Sequence, residues 1–128
     1  MKLLIVDDSK TIRKRVNQIV SVLDVDILEA ENGQEALNVL KEHDGNIDLI
    51  LLDWEMPIMN GSEFLKIIKA DKSYRSIPVI MLSAVSEKEK IIEAIRAGAK
   101  QYITKPFSGE DLQVKIVQAL GLDSWDDL

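Results

Sequence analysis

Ile47-Asp48-Leu49-Ile50-Leu51-Leu52-Asp53-Trp54-Glu55-Met56-Pro57-Ile58-Met59-Asn60-Gly61 is the stretch on which the fold turns. Its first half, Ile47 to Leu52, is a short, nearly continuous apolar run, as expected of a parallel strand buried on both faces. The run stops at a carboxylate. Proline, asparagine and glycine then mark a loop, and Asn60 is placed to cap a helix whose apolar face follows at Phe64, Leu65, Ile67 and Ile68. One strand, one acid at its carboxyl end and one helix make a βα unit.

The same unit recurs on either side. Leu3 to Val6 and Pro78 to Leu82 are further apolar runs, Val25 to Ala30 is a weaker one, and Gln101 to Thr104 is a fifth. Helical spacing links Ile12, Val16, Ile19, Val20 and Leu23. It recurs in Ala36, Leu37 and Leu40, in Ile91, Ile92 and Ile95, and in Leu112, Ile116, Ala119 and Leu120. Ser9 is placed to cap the first helix. Ser86, with Glu89 three residues on, is placed to cap the fourth, and Ser108, with Asp111 likewise, the fifth. Gly98 and Gly121 sit where the fourth and fifth helices should stop. Five βα units with short connections imply an α/β fold, a parallel sheet with helices on both faces.

The 128 residues fit one domain, and 46% of them are hydrophobic, enough for a sizeable core. There is no cysteine, which excludes disulfides and thiolate metal sites. The apolar start at Leu3 to Val6 is too short for a signal peptide and runs into Asp7-Asp8. No apolar run approaches the ~18 residues of a membrane span, so a cytoplasmic location is expected. A formal charge of −6 and a pI near 4.8 argue against direct binding to nucleic acid. His43, the single histidine, falls at a helix end, where a solvated turn position is the plainer reading than catalysis. Residues 122–128 read as a short acidic tail after a domain spanning 1–121, with Trp125 either frayed or docked back.

Ligands of an open parallel sheet bind beyond the carboxyl ends of its strands. Here those ends carry Asp7-Asp8, Asp53, Ser83-Ala84 and Thr104-Lys105-Pro106. Each alone has an ordinary explanation: aspartates cap helices, loop acids are common, and serine fills turns. Their joint placement on one rim does not. Two carboxylates ~4 Å apart repel by about 4 kcal/mol at an effective dielectric near 20. Three must keep a proton or recruit a cation, and Lys105 neutralises only one charge. Oxygen ligands without histidine or cysteine favour Mg²⁺ or Mn²⁺ over zinc. Such an ion beside a lysine suits phosphoryl oxygens, and the carboxylate can itself be the nucleophile.

These residues resemble the receiver domain of two-component response regulators over 1–121. The matching stretches include Leu4-Ile5-Val6-Asp7-Asp8-Ser9, Ala30 to Leu37, Leu51 to Gly61, Pro78 to Ala84, Ala97-Gly98-Ala99 and Lys105-Pro106-Phe107. The resemblance implies a flavodoxin-like doubly wound (βα)5 fold with strand order 2-1-3-4-5. It implies that Asp53 accepts a phosphoryl group from a sensor histidine kinase. Asp8, Asp53 and the backbone carbonyl of Glu55 would ligate Mg²⁺, with Mn²⁺ able to substitute, and Asp7 would act through water. Lys105 would pair with the phosphoryl group after a cis Lys105-Pro106 bond, and Ser83 would hydrogen-bond one of its oxygens. Ala84 would leave access to Asp53. Tyr102 matches the family's aromatic switch position and would alter the face made by the fourth helix, fifth strand and fifth helix.

Glu55 and Val85 occupy variable positions that flank the attacking water in the family. Glu55 is expected to form a salt bridge with Lys105. The Asp-Trp-Glu-Met-Pro motif is closest to chemotaxis members. With only seven residues after Gly121, the expected protein is a single-domain switch, not an enzyme, read out by protein contact. Three alternatives compete with it. One is the excised receiver of a longer regulator. Another is an aspartyl-nucleophile phosphatase, which would need an acid/base aspartate where Glu55 stands, and a cap region. The third is a flavin module, whose phosphate Asp7-Asp8 would repel.

Overall fold

A computed structural model of the chain describes residues 1–22 and 25–122. The strands are β1 (Lys2–Val6), β2 (Asp26–Ala30), β3 (Leu49–Leu52), β4 (Val79–Ser83) and β5 (Gln101–Thr104). They alternate with α1 (Lys10–Val20), α2 (Gly33–Glu42), α3 (Gly61–Lys69), α4 (Lys88–Arg96) and α5 (Gly109–Leu120). All four strand pairings are parallel and the sheet order is β2-β1-β3-β4-β5. The expected flavodoxin-like order is the one observed.

Alternation along each strand assigns the two faces. Leu4, Val6, Ile50, Leu52, Val79 and Met81 pack with Ala36, Leu40, Phe64, Leu65, Ile68 and Ala94, so α2, α3 and α4 cover one side. Leu3, Ile5, Leu49, Leu51, Ile80 and Leu82 pack with Val16, Val20, Leu112, Ile116 and Ala119, so α1 and α5 cover the other. Strands buried on both faces need apolar residues at every position, which is why β3 and β4 read as unbroken runs. β2 lies at the sheet edge with Asp26 and Glu29 exposed, and this is why its signal was weak.

Three of the expected caps form as read. Ser9 accepts from the Ile12 N–H, Asn60 makes a reciprocal capping box with Glu63, and Ser108 accepts from the Asp111 N–H. The fourth does not. Glu87, not Ser86, is the residue before α4, and its side chain makes no capping bond. Ser86 falls one residue too early to reach the first turn. A cap that sequence reading overlooked is Asn32, which accepts from the Glu35 N–H and opens α2. Gly121 ends α5 in the left-handed conformation at φ 71°, as its position suggested.

Two helical faces need correction. Ile67 of α3 is exposed, and on α4 the buried residue is Ala94 while Ile92 and Ile95 are exposed. Leu23 and the tail beyond Leu122, including Trp125, lie outside the described residues.

Candidate functional site

Parallel pairing carries the chain one residue past each strand and sets the rim side by side. The Asp7 N–H donates to Ala30 O at 3.0 Å, the Asp53 N–H to Val6 O at 2.9 Å, and the Lys105 N–H to Ser83 O at 2.9 Å. Asp7, Asp53, Ser83 and Lys105 therefore stand at the carboxyl ends of four adjacent strands. One oxygen from each of Asp7, Asp8 and Asp53 lies within 4.8 Å of the others. Asp7 and Asp53 are buried, whereas Asp8 is exposed.

Each buried acid is oriented from two sides. Asp7 accepts the Ser9 N–H at 2.8 Å on one oxygen and the Lys105 ammonium at 2.7 Å on the other. Asp53 accepts the Trp54 N–H at 2.7 Å and Lys105 at 3.3 Å. Burial pushes the Asp7 carboxyl above the ordinary aspartate range. The bonds from Lys105 and Ser9 oppose that rise, and the Asp53 charge adds to it by a smaller amount. Desolvation more than mutual repulsion thus makes the pocket uncomfortable for Asp7, which refines the purely coulombic expectation.

The expected Glu55–Lys105 ion pair does not form. Lys105 is held between Asp7 and Asp53, and Glu55 is exposed, lining the open cleft with Asp8, Asp53, Met56, Ser83, Ala84 and Val85. A lysine with two buried carboxylates in reach has no reason to choose a hydrated one. The Lys105–Pro106 bond is cis, as expected.

Gly61 is needed for the loop after β3. A Cβ there would stand 2.1 Å from the Asp53 carbonyl oxygen, a collision with backbone that no side chain can relieve. The close approach lets the Gly61 N–H donate to Trp54 O at 2.8 Å and folds the loop beside the site.

Ser83 is almost wholly buried, and its Oγ accepts the Val85 N–H at 3.2 Å. The Tyr102 hydroxyl donates to Val85 O, so serine and tyrosine meet on the same residue of the loop leading to α4. Burial raises the Tyr102 phenol above its usual range, the nearby Ser83 hydroxyl opposes this, and the Asp53 and Glu87 charges add to it.

Two arginines of α1 escaped the sequence reading. Arg13 is buried and donates to Asp7 O, and Arg15 donates to Phe107 O at 2.9 Å and lies over the Phe107 ring. Charged residues inside an apolar helical period read as solvated positions, and only the partner's location shows otherwise. His43 ends α2, where Lys2 Nζ approaches its Nδ1 at 3.4 Å. No helix among the described residues is long and apolar enough to cross a membrane.

The donor chemistry fits a hard dication: three carboxylate oxygens converge with neither histidine nor cysteine among them. A parallel five-stranded sheet with such an acidic rim and a lysine beside it defines a doubly wound α/β protein with its site at the strand ends. The sequence matches the response regulator receiver domain over residues 3–117. It is 40% identical over 125 residues to a chemotaxis protein CheY homolog of Campylobacter jejuni, covering 97% of this chain and 95% of that one. It is 42% identical over 124 residues to chemotaxis protein CheY1 of Helicobacter pylori, covering 94% and 98%. The receiver domain of the Francisella response regulator 1452 superposes with a TM-score of 0.83 at 34% identity, covering 94% of this chain and 96% of that one. The chain belongs to the response regulator receiver family, of the CheY-like kind.

Proposed function

We propose that the chain is a phosphorylation switch in which Asp53 takes a phosphoryl group from a sensor histidine kinase. The observation that carries this reading is the convergence of Asp7, Asp8 and Asp53 with Lys105 bridging two of them. An Asp53 carboxylate oxygen attacks the phosphorus, and the bond from phosphorus to the donor's nitrogen breaks as the acyl phosphate forms. Mg²⁺, held by Asp8, Asp53 and the Glu55 carbonyl with Asp7 acting through water, would offset charge on the transferred group. Mn²⁺ shares the oxygen preference and can stand in.

Lys105 already lies 3.3 Å from Asp53 and can turn its ammonium onto an incoming phosphoryl oxygen. Ser83 lines the same cleft and can give its hydroxyl to a second one. Drawing Ser83 toward the phosphate alters the pairing it shares with Tyr102 at Val85, which links the site to α4 and β5. The α4-β5-α5 face is the proposed output surface. Exposed Ile92 and Ile95 on α4 and Val114 on α5 are side chains a partner protein can cover.

Residues 1–121 form the proposed switch, with 122–128 an appendage to it. The matched relatives are chemotaxis proteins covered over 95% and 98% of their own lengths, which supports a receiver that acts by protein contact, with the cytoplasm as its proposed location. The net charge of −6 supports protein targets over nucleic acid. The test is Asp53→Ala incubated with acetyl phosphate and Mg²⁺. Labelling is expected to vanish while the fold, read by circular dichroism, persists; undiminished labelling would place the acceptor elsewhere.

A further inference from the structure

Among the described residues, Arg13 is the one buried cation with no part in the chemistry proposed above. It is 8% exposed, on the face of α1 that also buries Val16 and Val20. An apolar residue would fill that position without desolvating a charge, a cost of several kcal/mol that must be offset by good partners. Arg13 has three. Nη1 donates to the Asp7 backbone carbonyl at 2.6 Å, Nε to a Glu29 carboxylate oxygen at 3.0 Å, and Nη2 approaches Glu31 at 3.8 Å.

The first partner matters most. Asp7 O belongs to the peptide joining Asp7 to Asp8, beyond the last β1 pairing. Among the described residues, Arg13 is the only donor to that oxygen. The Asp7 N–H is already fixed by Ala30 O and its carboxylate by Ser9 and Lys105. Asp8 is exposed, and the peptide plane that precedes it sets the direction in which its backbone enters the site. A charge-assisted bond to that carbonyl sets the plane, and Glu29, paired with β1 through the Ile5–Glu29 register, aims the guanidinium.

We propose that Arg13 is a positioning residue for the acidic pair: it fixes the Asp7–Asp8 peptide so that both carboxylates face one cation. This rests on the reading of those acids as the Mg²⁺ site. Partners behind metal ligands commonly change affinity by about 10- to 100-fold, so the effect is measurable on the metal alone.

The sign of the effect separates this role from its rivals. A cation acting merely through its charge repels Mg²⁺, so its removal would tighten binding. A merely structural arginine would lower the melting temperature and leave the affinity of the folded protein unchanged. The experiment is calorimetric titration of MgCl₂ into the wild type, Arg13→Gln and Arg13→Lys, with melting temperatures measured separately in chelator. Arg13→Gln is expected to weaken Mg²⁺ about tenfold. Arg13→Lys keeps the charge, but its single ammonium nitrogen cannot reach the carbonyl and Glu29 together, and it is expected to weaken binding about threefold. Should the glutamine variant not fold, the lysine variant decides alone. Wild-type affinity in the folded variants, or tighter binding in Arg13→Gln, overturns the proposal. A wild type that takes up no Mg²⁺ overturns the reading beneath it as well.

Discussion

Asp7 shows what one residue concedes to the site. It is buried, and burial raises its carboxyl above the ordinary aspartate value of 3.8 despite bonds from Lys105 and Ser9. A raised carboxyl favours the protonated form in the folded state. Its contribution is therefore most favourable below about pH 3.8 and is lost as pH climbs through the raised value. At neutral pH an ionised Asp7 is a cost to the metal-free protein. Asp7→Asn keeps an acceptor for the Ser9 N–H and leaves Asp53 to pair with Lys105. The variant is expected to melt higher than wild type in chelator while binding Mg²⁺ about tenfold more weakly. Thermal melts with and without chelator check this; a lower melting temperature in chelator would show that the lost Lys105 contact outweighs desolvation. At this scale sequence was a good guide to where Asp7, Asp8, Asp53, Ser83 and Lys105 stand, because chemistry-bearing residues at strand ends stand out against apolar runs. It was no guide to Arg13, whose role depends on a carbonyl six residues away that no pattern marks.

The loop between β3 and α3 holds the clearest strain among the elements. Ile58 has φ 69°, a left-handed conformation that β-branched side chains resist, and it is 82% exposed. The Met59 N–H donates back to Pro57 O at 2.7 Å and closes a tight turn around it. Nothing buried compensates for the strain, so Ile58→Asn is expected to stabilise the fold by about 1 kcal/mol, a rise of a few degrees in melting temperature. An unchanged or lower value would mean that the isoleucine is accommodated without penalty. Strands and caps were legible because they depend on neighbours in sequence: three of four expected caps form, and β5 spans the residues expected of it. Helix α4 was not. Its isoleucines keep helical spacing, but the side facing the sheet is set by Ala94, and the helix opens at Glu87 without a side-chain cap. An apolar stripe and a burial stripe coincide only where a helix packs fully.

For the whole molecule, parallel units and a two-sided core follow from unbroken apolar runs, but the strand order does not. Periodicity is silent on which strand neighbours which, and the order 2-1-3-4-5 came from family resemblance before the sheet bore it out. The Glu55–Lys105 pair failed for a related reason, since a shared pocket does not settle which of four acids a lysine reaches. What the topology does is bring β1 and β3 together, so that acids 46 residues apart in sequence share one cation-sized space. The central claim is that this space makes phosphoryl uptake depend on a dication. Intact-mass measurement after acetyl phosphate treatment, with Mg²⁺ and with excess chelator, tests it most directly. A single phosphoryl group per chain in Mg²⁺ and none in chelator is the expected result; labelling that is indifferent to chelation, or absent under both conditions, would contradict it.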